Sequence, residues 1–240
     1  QRKDIVTVAP SSEQSGSGHG LKSYRSSVTL QRVGYNRYQL DGTPTDCVLA
    51  GITYLMKRKQ PDLIISGVNK GHNISKSILY SGTVGAAIEG ALHNIRSIAL
   101  SQSYSKETYS SNALFRYSEK YGAEICKLLL DYPNWKSRAS NILFNVNFPT
   151  ANEAKSMKLK CCEIEENNQN PFQCKIIENS SSGKIKFKAS YEPKMQAKND
   201  QYGDKTYLAQ GYATITPINP NITDFNSLLL AKETFNDRIL

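Results

Sequence analysis

Four short runs of apolar and β-branched residues, at 5–9, 62–66, 95–100 and 141–148, alternate with stretches of helical periodicity. Strand–helix alternation of this kind specifies a mostly parallel, doubly wound α/β sheet, because parallel neighbours need a crossover that helices supply. In such sheets ligands bind beyond the carboxyl ends of the strands. The loops that follow the first three runs, at 11–20, at 67–82 and after Leu100, therefore share one edge. The first two are rich in Gly, Ser and Asn, and chemistry is expected there.

The intervening segments carry recognisable boundaries. Residues 28–40 alternate loosely and predict a hairpin. In Gly42-Thr43-Pro44-Thr45-Asp46, Thr43 suits a helix cap, Pro44 the first helical position and Asp46 the positive first turn. That helix carries Val48, Leu49, Ile52, Leu55 and Met56 on one face and is expected to end near Lys59, before Pro61. Residues 83–93 read as a second helix whose Gly85, Ala86, Ala87, Gly90 and Ala91 permit close approach to a sheet. A long amphipathic helix is expected over 112–130 and a last one over 225–235. From 150 to about 205 Asn, Lys, Ser and Glu dominate, with a strand-like piece at 184–191. The division expected is a core over 1–149, and a β arm with a C-terminal segment over 150–240 that serves oligomerisation.

The 240 residues suffice for one large domain, and no apolar run approaches the roughly 20 residues of a membrane span. Five cysteines, odd in number and without a C-x-x-C pair, argue against a disulfide framework or a zinc site and point to the reducing cytoplasm. The charge of +9 comes from scattered residues. It suits polyanions as small as nucleotides as well as nucleic acid, so it does not choose a function. The chain opens at Gln1 with no Met and no apolar leader and reads as the interior of a longer gene product.

Three loops carry candidate ligands. Ser66-Gly67-Val68-Asn69-Lys70-Gly71-His72-Asn73 follows a strand directly and offers amide oxygens, although Asx-turns at Asn69 and Asn73 account for the same composition. Ser81-Gly82-Thr83 stands at a helix start, where free N–H groups and the dipole attract anions. Ser15-Gly16-Ser17-Gly18-His19-Gly20 supplies hydroxyls and glycine backbone, or a flexible surface loop. By themselves, His19 reads as a loop residue, His93 as the end of its helix and Glu89 as a packed helix residue.

Taken in order, Val8-Ala9-Pro10 with Ser15-Gly16, Gly42 through Val48, Asp62 through Asn73, Tyr80 through Val84 with Glu89-Gly90, Asn145-Val146-Asn147-Phe148-Pro149, and Gly211-Tyr212 with Thr216-Pro217 resemble the SurE family of survival-protein nucleotidases. The resemblance implies a Rossmann-like, three-layer α/β fold with a mostly parallel sheet, an extended β arm and a C-terminal excursion. It also implies a 5'-nucleotidase that uses Mg or Mn, with side activities on 3'-nucleotides and short polyphosphate, assembled as a homodimer or homotetramer. Of the family's metal ligands, the Ser matches Ser15 and the Asn matches Asn69. Gly71, Asn73, Ser81, Gly82 and Thr83 match positions that face phosphate, with Asn69, Ser81 and Thr83 the catalytic set. Two adjacent Asp that complete the metal site are expected ahead of Gln1, on a strand beside residues 5–9. His72 stands where the family usually has Pro, and residues 11–14 and 151–205 match poorly. Two rival readings are a catalytically incomplete family member and a basic nucleic-acid-binding module. The second is disfavoured because the 14 Tyr do not interleave with Lys/Arg clusters.

Overall fold

The computed structural model describes residues 5–136, 141–150, 157–166, 172–180, 182–191 and 202–235. The strands expected at 95–100 and 141–148 form the middle of a five-stranded sheet as β5 (Ser97–Gln102) and β6 (Leu143–Phe148), both buried along their whole length. They pair in parallel, and β4 (Ile64–Lys70) pairs parallel to β5 on the outside. On the far side β10 (Ala213–Ile218) runs antiparallel to β6 and parallel to β7 (Leu159–Cys161), giving the order β4-β5-β6-β10-β7.

Alternation along β5 and β6 sorts the two faces. Ile98, Leu100, Phe144, Val146 and Phe148 pack with Tyr117, Ile125, Cys126 and Leu129 of α3 (Arg116–Leu130). The opposite face carries Ala99 and Leu143, which meet Val84, Ala87 and Ala91 of α2 (Gly82–Leu92). Helix, sheet and helix thus make the three layers, with the sheet mostly parallel. The small residues of α2 act as expected at Gly90, where an added Cβ would fall 2.3 Å from Ser97 Oγ. Gly85 differs: its clash would be with the 11–20 loop, at Gly18 O, rather than with the sheet.

Among the described residues, the two runs expected as buried strands at 5–9 and 62–66 have a strand neighbour on one side only. The first becomes β1 (Thr7–Pro10), outermost in a separate three-stranded sheet ordered β1-β3-β2, with Ile5 just ahead of it 64 % exposed. The hairpin foreseen over 28–40 supplies β2 (Leu30–Gly34) and β3 (Arg37–Leu40). The run at 62–66 becomes β4, the edge of the larger sheet, with Ile65 50 % exposed.

Thr43 caps α1 (Pro44–Ala50) with a capping box to Asp46, and a π-helical turn over Gly51–Leu55 ends the helix short of Lys59. The helix expected from 112 starts at Arg116. The arm is real in one part: β8 (Phe172–Asn179) and β9 (Ile185–Tyr191) form an antiparallel hairpin, β8 exposed along nearly its whole length. The rest of the expected arm does not stay apart. Residues 157–166 provide β7, and α4 (Asp204–Ala209) packs on β10, where Asp204 accepts from the Ser75 and Glu165 amides at 2.9 and 3.0 Å. A division at residue 149 therefore cuts through the central sheet. The last helix, α5 (Phe225–Phe235), lies where expected.

Candidate active site

Asn69 stands at the carboxyl end of β4, and a bulge delivers it there. Between Ser66 and Asn69 two residues of β4 oppose the single Leu100 of β5. Gly67 makes this possible: its φ is +118°, and a Cβ would lie 2.3 Å from Leu100 O, so only glycine fits. The Asn69 amide nitrogen donates to Gly71 O at 2.8 Å, which leaves Oδ1 to accept from the Thr83 hydroxyl at 3.3 Å. A strand-end amide oxygen and a helix N-terminal hydroxyl are thus brought together.

Ser81 is the N-cap of α2, its hydroxyl accepting from Val84 N at 3.1 Å. The cap engages that side chain and leaves the first-turn amides of Gly82 and Thr83 facing out of the helix end. The loop at 11–20 closes over this end. Gly18 N donates to Tyr80 O at 3.1 Å, and a Cβ on Gly82 would lie 2.5 Å from Ser17 Oγ. Among the described residues Ser17 Oγ is buried with no hydrogen-bond partner, an orphaned hydroxyl beside a helix N-terminus. Ser15 lies further out: it is exposed and donates to Glu13 Oε1 at 2.9 Å.

Asn73 is buried, and its position is set from below. Its amide nitrogen donates to Ser101 Oγ at 2.7 Å, and its backbone N–H to Asn147 Oδ1 at 2.7 Å. Asn145 and Asn147 both donate to its carbonyl, at 2.8 and 2.9 Å. Sequence reasoning quoted Asn145 and Asn147 but gave them no role. The available signal was polar residues at alternate positions of an otherwise apolar strand, a pattern that in a fully buried strand demands partners. Gly71 has φ +108°, a backbone conformation that favours glycine, and a Cβ there would stand in ordinary contact, 3.5 Å, with the Tyr104 ring. His72 Nδ1 lies 3.5 Å from Ser103 Oγ, and desolvation by the surrounding chain lowers its pKa, favouring neutral imidazole.

A second group was missed by reading residues singly. Glu89 is buried and takes His19 Nε2 on one oxygen at 2.8 Å and His93 Nε2 on the other at 3.2 Å. His93 is the C-cap of α2, as expected, while His19 ties the 11–20 loop to that helix. Asp46 fastens the same loop at its far end, accepting from the Lys22 and Ser23 amides, the Ser23 hydroxyl and the Thr43 amide at 2.5–3.2 Å. Burial pushes the Asp46 carboxyl up, but the hydrogen bonds from Ser23 and Thr43 more than offset this and hold it below its ordinary value. Among the described residues no three His, Cys, Asp or Glu side chains converge on a point where they could share a metal ion.

The family described as "Survival protein SurE" matches residues 1–171. The chain belongs to the SurE family. It is similar to the 5'-nucleotidase SurE of Rhizorhabdus wittichii, 36 % identical over 225 residues, 94 % of this chain and 86 % of that protein. A 5'-nucleotidase SurE of Ruegeria pomeroyi is 34 % identical over 227 residues, covering 94 % and 85 %. Among solved structures, the SurE protein from Aquifex aeolicus superimposes with a TM-score of 0.74 at 27 % identity, covering 96 % of this chain and 88 % of that one. The SurE match takes in the loops around Ser15, Asn69 and Thr83, so the expected α/β fold and family hold together.

Proposed function

We propose that this chain is a metal-dependent phosphomonoesterase that hydrolyses nucleoside 5'-monophosphates. The observation that carries it is the 3.3 Å contact of Thr83 Oγ1 with Asn69 Oδ1, made beside the orphaned Ser17 hydroxyl at the α2 N-terminus. A phosphate there would receive the Gly82 and Thr83 amides, the dipole of an 11-residue helix and the Ser17 hydroxyl. Asn73, held by the Asn145–Asn147 network, and Gly71, whose N–H donates to Gln102 O at 2.9 Å, fix the wall on the β4 side.

Mg or Mn is the cofactor we assign. Asn69 Oδ1 and Ser15 Oγ are the donors this chain offers, and oxygen ligands are what hard cations take. Both are neutral, so they fit as part of a site whose charge comes from the paired carboxylates the resemblance implies. Bound there, the metal would act as a Lewis acid that offsets charge on the phosphoryl oxygens. The chain's own residues then hold and orient the ester: Thr83 and the α2 amides grip the oxygens, and the loop at 17–19 covers them. Because the grip is on phosphate, 3'-nucleotides and short polyphosphate belong to the same proposal.

The setting we assign is the cytoplasm, in keeping with five free cysteines. No helix among the described residues is long and apolar enough to cross a membrane. We assign a homodimer or homotetramer, supported by the exposed hairpin, where the cross-strand pair Ile176 and Phe187 is 62 % exposed on each side. Phosphate release from a panel of nucleoside monophosphates, with Mg, with Mn and with chelator, tests the proposal. Metal-dependent release supports it, and no release from the full-length protein would favour the catalytically incomplete reading.

A further inference from the structure

The loop leaving β5 carries an aromatic pair that the phosphate site does not use. Tyr104 and Tyr109 are 43 % and 46 % exposed and stand edge to face with ring centroids 4.9 Å apart. The turn between them is closed on itself, Ser105 N donating to Thr108 Oγ1 at 2.8 Å and Thr108 N to Ser105 Oγ at 3.3 Å. Its base is tied to the sheet, where Ser103 N donates to Phe148 O at 2.9 Å. Lys70 Nζ lies 3.3 Å from the Tyr109 ring centroid and holds that ring by a cation–π contact. Two half-exposed rings are therefore fixed in place.

Their position relative to Asn69 is what gives them a ligand. The point that a Cβ on Gly71 would occupy lies 3.5 Å from Tyr104 Cε1 and 3.8 Å from Asn69 Nδ2. Ring and strand-end amide flank the same glycine, separated by the space of one small group. They rise from adjacent parallel strands, β4 and β5, at the carboxyl edge of the sheet. A nucleotide whose phosphate lay at Asn69 and Thr83 would bring its base within reach of this loop. Glycine at 71 keeps the passage open.

We propose that Tyr104, backed by Tyr109 and Lys70, is the surface on which the substrate's nucleobase stacks. This rests on the nucleotidase reading and deepens it. Stacking uses the π-face that every base has, so the platform raises affinity for nucleotides over other phosphate esters without selecting one base. One face of Tyr109 is covered by Lys70, which leaves Tyr104 as the ring that meets the ligand.

The test compares full-length wild type, Tyr104→Leu and Tyr104→Phe on AMP, CMP and the base-free ester ribose 5-phosphate, with adenosine binding followed by calorimetry. The expected result is a KM for AMP and CMP raised by about 5- to 100-fold in Tyr104→Leu, with kcat and ribose 5-phosphate turnover unchanged and Tyr104→Phe restoring the wild-type values. Equal loss on all three esters, or an unchanged KM for the nucleotides, would overturn the stacking assignment while leaving the nucleotidase intact. If wild type turned over none of the esters, the nucleotidase reading would fail, and adenosine would decide separately. Binding weakened by Tyr104→Leu supports the platform, and binding that ignores the substitution or is absent from wild type overturns it.

Discussion

The two sides of the candidate site are held by different means. On the β4 side, Asn73 is locked by three side chains of β5 and β6, all of them buried, so position follows from the core. On the loop side, residues 13–20 hang on Glu13, His19 and the glycine backbone, and most of them are exposed. A site built in this way has one wall as stable as the fold and one that can open locally. The difference teaches that the phosphate-facing wall and the loop bearing Ser15 respond to different substitutions.

The largest effect is expected on the buried wall. Asn147→Ala removes the acceptor of Asn73 N–H and one donor to its carbonyl, leaving buried backbone polar groups short of partners; we expect a loss of about 2–4 kcal/mol in urea unfolding. Next comes the join between the walls. Gly85→Ala places a Cβ 2.3 Å from Gly18 O, backbone against backbone, and we expect about 1–3 kcal/mol of destabilisation together with faster hydrogen exchange at Gly18 and Gly20. An exchange pattern unchanged in the loop would show that α2, rather than the loop, gives way.

Glu89→Gln sharpens the comparison from the loop side. It weakens the pairing with His19 and His93, whose rings are over a third exposed, so stability should fall by less than about 1 kcal/mol while half-activation by metal needs roughly threefold more cation. Equal losses from Glu89→Gln and Asn147→Ala in unfolding would contradict the two-wall account. The smallest effect is the acid response of Asp46. Its folded pKa lies below the unfolded one, so its contribution is complete above the unfolded value, near 4, and is lost as pH falls through the folded value. Thermal midpoints of wild type and Asp46→Asn should therefore converge toward acid and separate above about pH 5.

The strands and helices that pack against one another on both sides were legible in the sequence, because period and capping residues report burial directly. Thr43, Ser81 and His93 all stand at the helix ends. What the sequence hid was partnership at a distance. Nothing local links Glu89 to His19 seventy residues away, or says that Asn145 and Asn147 serve Asn73. The short segments β7 and α4 were lost in a polar stretch whose order comes from docking on β10, through Asp204, rather than from its own periodicity. The segments 66–73 and 81–83 stood out for their place after a strand and before a helix, and the resemblance named Asn69, Gly71, Asn73, Ser81, Gly82 and Thr83 within them; the structure brings Asn69 and Thr83 together and leaves Ser15 exposed.

The central claim is that Asn69 and Thr83 form the metal-dependent phosphoester site. Its most direct test is the rate of phosphate release from AMP by full-length wild type and Asn69→Ala at saturating Mn, with circular dichroism of both. Asn69→Ala gives up two side-chain hydrogen bonds, the one donated to Gly71 O and the longer one accepted from the Thr83 hydroxyl, together about 1–3 kcal/mol, so the fold should persist. The account predicts a rate lower by about 100-fold or more. Turnover within a few-fold of wild type, at the same metal concentration and with the same spectrum, would contradict it.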